Sequence, residues 1–208
     1  MNEGPQKFLP TRQSLLSRLK SWDDGESWRE FFETYWRLIY GAATRSGLND
    51  AEAQDVVQDT IISVAKRIEK FKYDPAVDSF KGWLLYLTRK RIALQYRRRE
   101  RDRGGPEHRP GLELTEDIQD LADPAGTDLE SSWDEEWKRN LWEAAIAKAK
   151  LQASPKQFQI FDCYVVKEQP PRDVARTLGV TVAQVYLAKH RISALVKAEL
   201  ERLTKNTV

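Results

Sequence analysis

The chain has 208 residues, 40% of them hydrophobic and 32% charged, with a formal net charge of +2. This suits one large or two small soluble domains and excludes a disordered composition. A single cysteine, Cys163, excludes an internal disulfide, and two histidines, His108 and His190, are too few for a Cys/His zinc cluster.

The first residues, MNEGPQKFLPTRQ, lack the apolar core of a signal peptide, and no uncharged apolar run approaches the roughly 18–20 residues that span a bilayer. A cytoplasmic setting without membrane insertion is expected. No residue set calls for a cofactor or a metal. Residues 12–20 carry Leu15, Leu16 and Leu19 at helical spacing, and Trp28 to Ala43 reads as a helix apolar and aromatic on most sides. Gly47 ends that helix. Asn49 then stands as an N-cap with Glu52 three residues on, the pattern of a capping box. Val57, Ile61, Val64 and Ile68 follow at i, i+4, i+7 and i+11, one stripe facing a core. Roughly opposite lie Asp55, Gln58, Asp59 and Ile62. An acidic, amide-bearing face enclosing one apolar side chain has the chemistry of a protein-docking surface, although a solvated helix face can look the same.

After FKYDPAVD, Ser79 can cap a helix from Phe80 to about Arg101. Residues 81–103 hold nine Lys/Arg against two acids, net +7. Phe80, Trp83, Tyr86 and Tyr96 alternate with these cations, and the run ends in Arg97-Arg98-Arg99. Phosphate attraction combined with stacking surfaces is what gripping unpaired or distorted DNA needs, at about 1–3 kcal/mol per stacked base. Phe80, Trp83, Leu84 and Leu87 also share a face, so core packing competes for the same rings. Gly104-Gly105-Pro106 then opens a Pro-, Gly- and acid-rich linker to about residue 128. Residues 104–136 hold one Arg against eleven acids, net −10.

The second half offers a helix from about Leu129 to Leu151. Ser154-Pro155 supplies an N-cap and first helical position for Pro155–Val166, and Pro170-Pro171 opens a last pair of helices split at Gly179. Residues 137–208 hold thirteen Lys/Arg against six acids, net +7. Within PPRDVARTLGVTVAQVYLAKHRISALVKAEL a short helix ends at Leu178, and a longer one starts near Val182. Val174, Leu178, Val185 and Ile192 would close the inside of this pair. The arrangement is that of a helix-turn-helix, whose second helix reads base edges in the major groove from its N-terminal part. Thr181, Gln184 and Tyr186 point outward there; Gln pairs with adenine, and Lys189 and Arg191 reach phosphate or guanine. A purely structural hairpin is the competing reading. Almost nothing reads as strand. The expected fold is all-α, with two small helical domains (12–103 and 129–205) joined by an acidic linker (104–128).

These signals in this order resemble the sigma factors of the extracytoplasmic-function type. The likeness rests on Asp55-Val56-Val57-Gln58-Asp59, on Phe80, Trp83, Leu84 and Arg97-Arg98, and on the terminal helix-turn-helix after an acidic linker. It implies a non-catalytic subunit that docks on core RNA polymerase, at the clamp helices of the largest subunit, through Asp55, Gln58, Asp59 and Ile62. The loop 72–79 and the helix after it, with Tyr73, Phe80, Trp83, Lys90, Arg97 and Arg98, would melt and read a minus-10 element of promoter DNA. Thr181, Gln184, Tyr186, Lys189, His190 and Arg191 would read a minus-35 element. The linker would thread near the polymerase active-site channel. Lys90 stands where the family usually has Asn, Leu94 where it often has Asp, and Tyr186-Leu187-Ala188 where Lys-Ser-Arg is commoner. Two basic surfaces joined by an acidic linker further imply a free protein that is autoinhibited or held by an anti-sigma factor. The alternative is a helix-turn-helix transcriptional regulator that acts without being a polymerase subunit.

Overall fold

The computed structural model describes residues 15–71, 80–102 and 126–205. Tyr73, the cap at Ser79 and most of the acidic linker lie outside them. The described residues form eight α-helices and one π-helical turn, without a strand.

The short helix α1 (Leu15–Arg18) leads into α2 (Gly25–Arg45), which is capped by Asp24. The Asp24 carboxylate accepts from the Ser27 backbone N–H at 3.0 Å and from its hydroxyl at 2.8 Å, and Arg18 Nε donates at 3.0 Å. Those bonds, the backbone one first, hold its pKa at about 2. Helix α2 stops where Gly47 takes φ +82, a left-handed value that a Cβ disfavours. The capping box then forms as its residues require: Asn49 Oδ1 accepts from the Glu52 N–H at 3.0 Å, and the Glu52 carboxylate accepts from the Asn49 N–H at 2.8 Å. Helix α3 (Asp50–Arg67) buries Val57 and Val64, and Ile68 beyond its end, as the stripe demands, but also Val56, Thr60 and Ser63. The buried face is wider than one stripe because α2 and α4 cover α3 from two sides. Ile61 is left half-buried on the rim of that face.

Helix α4 (Phe80–Asp102) is buried over most of its first four turns, from Phe80 through Gln95. Helix α5 (Gly126–Gln152) presents Trp133, Trp137, Leu141, Ala145 and Ala149 as one fully apolar i, i+4 stripe. The stripe packs on the first half of the chain. Trp137 stacks on Tyr35 with ring centroids 5.2 Å apart and meets Phe80 at 6.2 Å. Asn140 Nδ2 donates to the Thr34 carbonyl at 2.7 Å, and Trp133 Nε1 donates to the Lys81 carbonyl at 3.3 Å. Ion pairs border the seam: Lys81–Asp134 at 2.7 Å, Arg45–Glu136 at 3.3 Å and Lys148–Glu33 at 3.5 Å.

Ser154 and Pro155 start α6 (Pro155–Phe161) as expected, but the helix does not run on unchanged to Val166. It widens into a π turn over Asp162–Val166. Helix α7 (Pro171–Leu178) ends at Gly179 in the left-handed region, φ 60 and ψ 44, and α8 (Val182–Lys205) follows. The inside of this pair is built differently from the sequence expectation. Val174 and Val185 are buried together with Ile160, Ala175 and Ala188, and Leu178 is half-buried against them. Ile192 instead joins Val196, Leu203 and α5 in the larger core that includes α1–α4. At about 1.5 Å per residue, α8 is roughly 36 Å long. That exceeds what the small α6–α7 unit can cover, so its second half lies along α5. There Arg202 pairs with Glu30 of α2 at 2.6 Å and with Glu199 at 2.7 Å.

Candidate protein and nucleic-acid interfaces

Three surfaces carry chemistry. The first is a groove of about 800 Å³ between α2 and α3, lined by Phe32, Trp36, Tyr40, Val57, Gln58, Ile61 and Ile62 among others. Phe32 is 45% exposed and Ile62 43%, high values for large apolar side chains. Phe32 and Trp36 stack nearly parallel at 6.2 Å, and the Arg37 guanidinium lies 5.0 Å over the Trp36 ring. The Tyr40 hydroxyl donates to Asp50 at 2.6 Å, a bond that raises the phenol pKa. Asp55, Gln58 and Ile62 are exposed beside the groove. Asp59 is not fully outward: it is half-buried and forms an ion pair with Arg98 of α4 at 3.2 Å. Phe32 and Trp36 were not singled out from the sequence. Their signal was the excess of rings in α2, more than one buried face can take.

The second surface is α4, where packing reassigns several residues. Phe80 has no accessible surface and touches the rings of Phe31, Tyr35, Phe71, Trp83 and Trp137, so it offers DNA no atom in this conformation. Lys90 is only 7% exposed, because it lies on the part of α4 packed against other helices. Trp83 is half-buried, 4.5 Å from Phe71, and keeps an open edge. Tyr86, 50% exposed, is the ring that reaches furthest into solvent. The terminal arginines divide. Arg99 is held by Glu52 and by the Gly47 carbonyl, which raises its pKa through the Glu52 hydrogen bonds first. Arg98 pairs with Asp59 and also donates to Gln95 at 3.2 Å. Arg91 Nε donates to Ser63 at 2.8 Å, and Arg97 is half-exposed.

The third surface is the first half of α8 with α6 and the π turn. Thr181 and Gln184 form a reciprocal cap: Thr181 Oγ1 accepts from the Gln184 N–H at 3.2 Å, and Gln184 Oε1 accepts from the Thr181 N–H at 2.8 Å. Bidentate pairing with adenine needs that same Oε1, so the box competes with base reading. Thr-x-x-Gln was visible in the sequence as a cap. Tyr186 packs edge-on to Tyr164 at 5.8 Å, and the Lys189 ammonium lies 5.8 Å over the same Tyr164 ring. Tyr186 and Lys189 therefore lean toward the π turn. His190, Arg191 and Leu187 stand in solvent.

No group of His, Cys, Asp and Glu among the described residues could hold a metal ion, and none of the described helices is long and apolar enough to cross a membrane. In a comparison with known families, residues 31–102, which run from early α2 to the end of α4, match sigma-70 region 2. The match covers both the α2–α3 groove and the aromatic, cationic α4. Members of that family are non-enzymatic transcription initiation factors that bind core RNA polymerase and promoter DNA. The region that forms the groove and the α4 surface is thus similar to sigma-70 region 2.

Proposed function

We propose that the chain is a cytoplasmic sigma factor of the extracytoplasmic-function type. In this reading, residues 12–103 form a region 2-like unit, 104–128 the acidic linker and 129–205 a region 4-like helix-turn-helix unit. The α2–α3 groove docks on the clamp helices of the polymerase largest subunit, with Asp55, Gln58 and Ile62 on its border. Helix α4 and the loop that includes Tyr73 open and read the minus-10 element, using Trp83, Tyr86 and Arg97 at the surface. Phe80 and Lys90 act from within, by holding α4 in place. The first half of α8 reads the minus-35 element through His190, Arg191 and the exposed side chains beside them. Polymerase performs the chemistry; this chain supplies sequence choice and strand opening.

The observation that carries this reading is the Asp59–Arg98 pair at 3.2 Å. It ties the helix bearing the docking face to the helix bearing the nucleic-acid face. Docking on polymerase thus positions α4 without an adaptor. The further idea, that the free chain is autoinhibited or kept so by an anti-sigma factor, draws support from the α5 seam. With Trp133 and Trp137 seated on α2 and α4, the spacing between the two DNA surfaces is set by a packed core rather than by the DNA.

The test adds purified chain to core RNA polymerase with a random promoter library. Transcription starting from promoters with two selected elements is the expected result. Equally tight operator binding by the chain alone, with no association with polymerase, overturns the reading in favour of an independent regulator. Asp59→Arg and Phe32→Asp should each abolish association with polymerase while the helical circular-dichroism spectrum is kept.

A further inference from the structure

Resting on the reading of α8 as the minus-35 helix, we propose that Leu187 determines part of the promoter preference by contacting the 5-methyl group of a thymine in the major groove. Leu187 is 68% exposed. It lies two positions from the buried Val185, about 200° around the helix, and so points away from the small core. The larger exposed side chains next to it, Gln184, His190 and Arg191, are polar or cationic. The groove beside it is lined by the cationic or polar Lys156, Gln157, His190 and Arg191 and by the apolar Ile160 and Val180, and no carboxylate contributes to that lining.

A bare leucine on such a face gains nothing from water. Cationic walls without a carboxylate draw a polyanion to it. On a DNA duplex the thymine methyl is the one apolar group that the major-groove edge of a base offers, and an aliphatic side chain is its natural contact. Gln184 is held in the cap with Thr181, one turn before Leu187. The next outward positions along the helix are Leu187, His190 and Arg191. Base choice therefore shifts from amide–adenine pairing toward methyl contact plus cationic hydrogen bonds. Burying one methyl group against Leu187 corresponds to roughly a fourfold preference for the methylated base.

The experiment uses the polymerase complex with the full chain and a promoter selected from the random library. Each thymine of its minus-35 element is replaced in turn by deoxyuridine, which removes the methyl group and leaves every hydrogen-bonding group in place. Binding is measured for the wild-type chain, Leu187→Ala and Leu187→Ile. The expected result is one position where deoxyuridine weakens wild-type binding by about three- to tenfold. The difference vanishes in Leu187→Ala and persists in Leu187→Ile. If the complex binds and needs its minus-35 element, yet Leu187→Ala leaves every methyl effect unchanged, the Leu187 assignment is wrong and the sigma reading stands. If Leu187→Ala lowers activity with no methyl effect in either chain, the side chain serves a protein contact and the proposal falls. If no complex forms on any promoter, the underlying reading falls and takes the proposal with it.

Discussion

Helix α4 and the first half of α8 are both basic and aromatic, but their cations do different things. On α4, Lys90 is buried, Arg91 bonds Ser63, Arg98 pairs with Asp59, and Arg99 is clasped by Glu52. On α8, His190 and Arg191 stand in solvent, and only Lys189 leans on a ring. Helix α4 lies among α2, α3 and α5, so its charges must find partners inside the protein. The first half of α8 is covered on one side alone. Net charge along a segment therefore does not give the charge available to phosphate, since α4 holds far more cations than the first half of α8 but ties most of them to its own neighbours.

The largest effect that could break this comparison is on stability. Phe80→Ala should cost about 3–5 kcal/mol in denaturant unfolding, since Phe80 is fully enclosed by five rings. Leu187→Ala should change stability by less than about 0.5 kcal/mol. An unchanged midpoint for Phe80→Ala would mean that α4 is a free surface like α8. Next comes Arg202, which bridges Glu30 and Glu199 between α8 and α2. Arg202→Met leaves two carboxylates without their cation and should cost about 1–3 kcal/mol, read from the same unfolding curves.

Acid should loosen the same seam. Burial pushes the Glu199 pKa up, but hydrogen bonds from Arg202 and Gln152 outweigh it and leave it below its ordinary 4.5. A depressed carboxylate stabilises the fold above its unfolded-state value, and that stabilisation fades as pH falls below it. Asp24, held at about 2 against an ordinary 3.8, loses its contribution over that lower window. Melting followed from pH 6 to pH 2 should therefore show decline beginning near pH 4.5, and Arg202→Met should remove the upper part of it.

Salt dependence gives a smaller and more direct comparison. Arg191→Ala should reduce the slope of log K against log salt by about one, if that side chain meets a phosphate. Arg98→Ala should reduce it by less, because Asp59 already neutralises Arg98. Equal reductions would show that the Asp59–Arg98 pair opens on DNA. A further small effect is expected at the start of α8. Gln184→Ala should cost about 0.5–1 kcal/mol by loss of the cap, and Gln184→Glu should restore most of it.

Local structure was legible because it depends on neighbours in sequence. The Asn49–Glu52 box, the Ser154-Pro155 start and the left-handed Gly179 all formed where their residues stand. Helix α5 began at Gly126, three positions before the expected Leu129, which is the usual blur at a helix end. The Thr181–Gln184 box obeyed the same local rule, but Gln184 was read as a base contact instead. What failed to show was the assignment of faces. Helical period marks Leu187 as outward once Val185 is known to be inward, but it cannot say whether Phe80, Lys90 or Ile192 meets solvent, the small core or the large one.

The sequence by itself determined the helices, the Asn49 and Ser154 caps, the exposure of Asp55, Gln58 and Ile62 on α3 and the concentration of cations on α4. Each of these follows from spacing and side-chain chemistry within a few residues. Only the tertiary structure decided which cations remain available, that Phe32 and Trp36 open a groove beside Ile62, and that α5 and the far half of α8 share a core with α2–α4. Those outcomes depend on which helices lie side by side. A helix has several apolar or charged faces to offer, and burial of the largest apolar area, with every enclosed charge paired, selects among them.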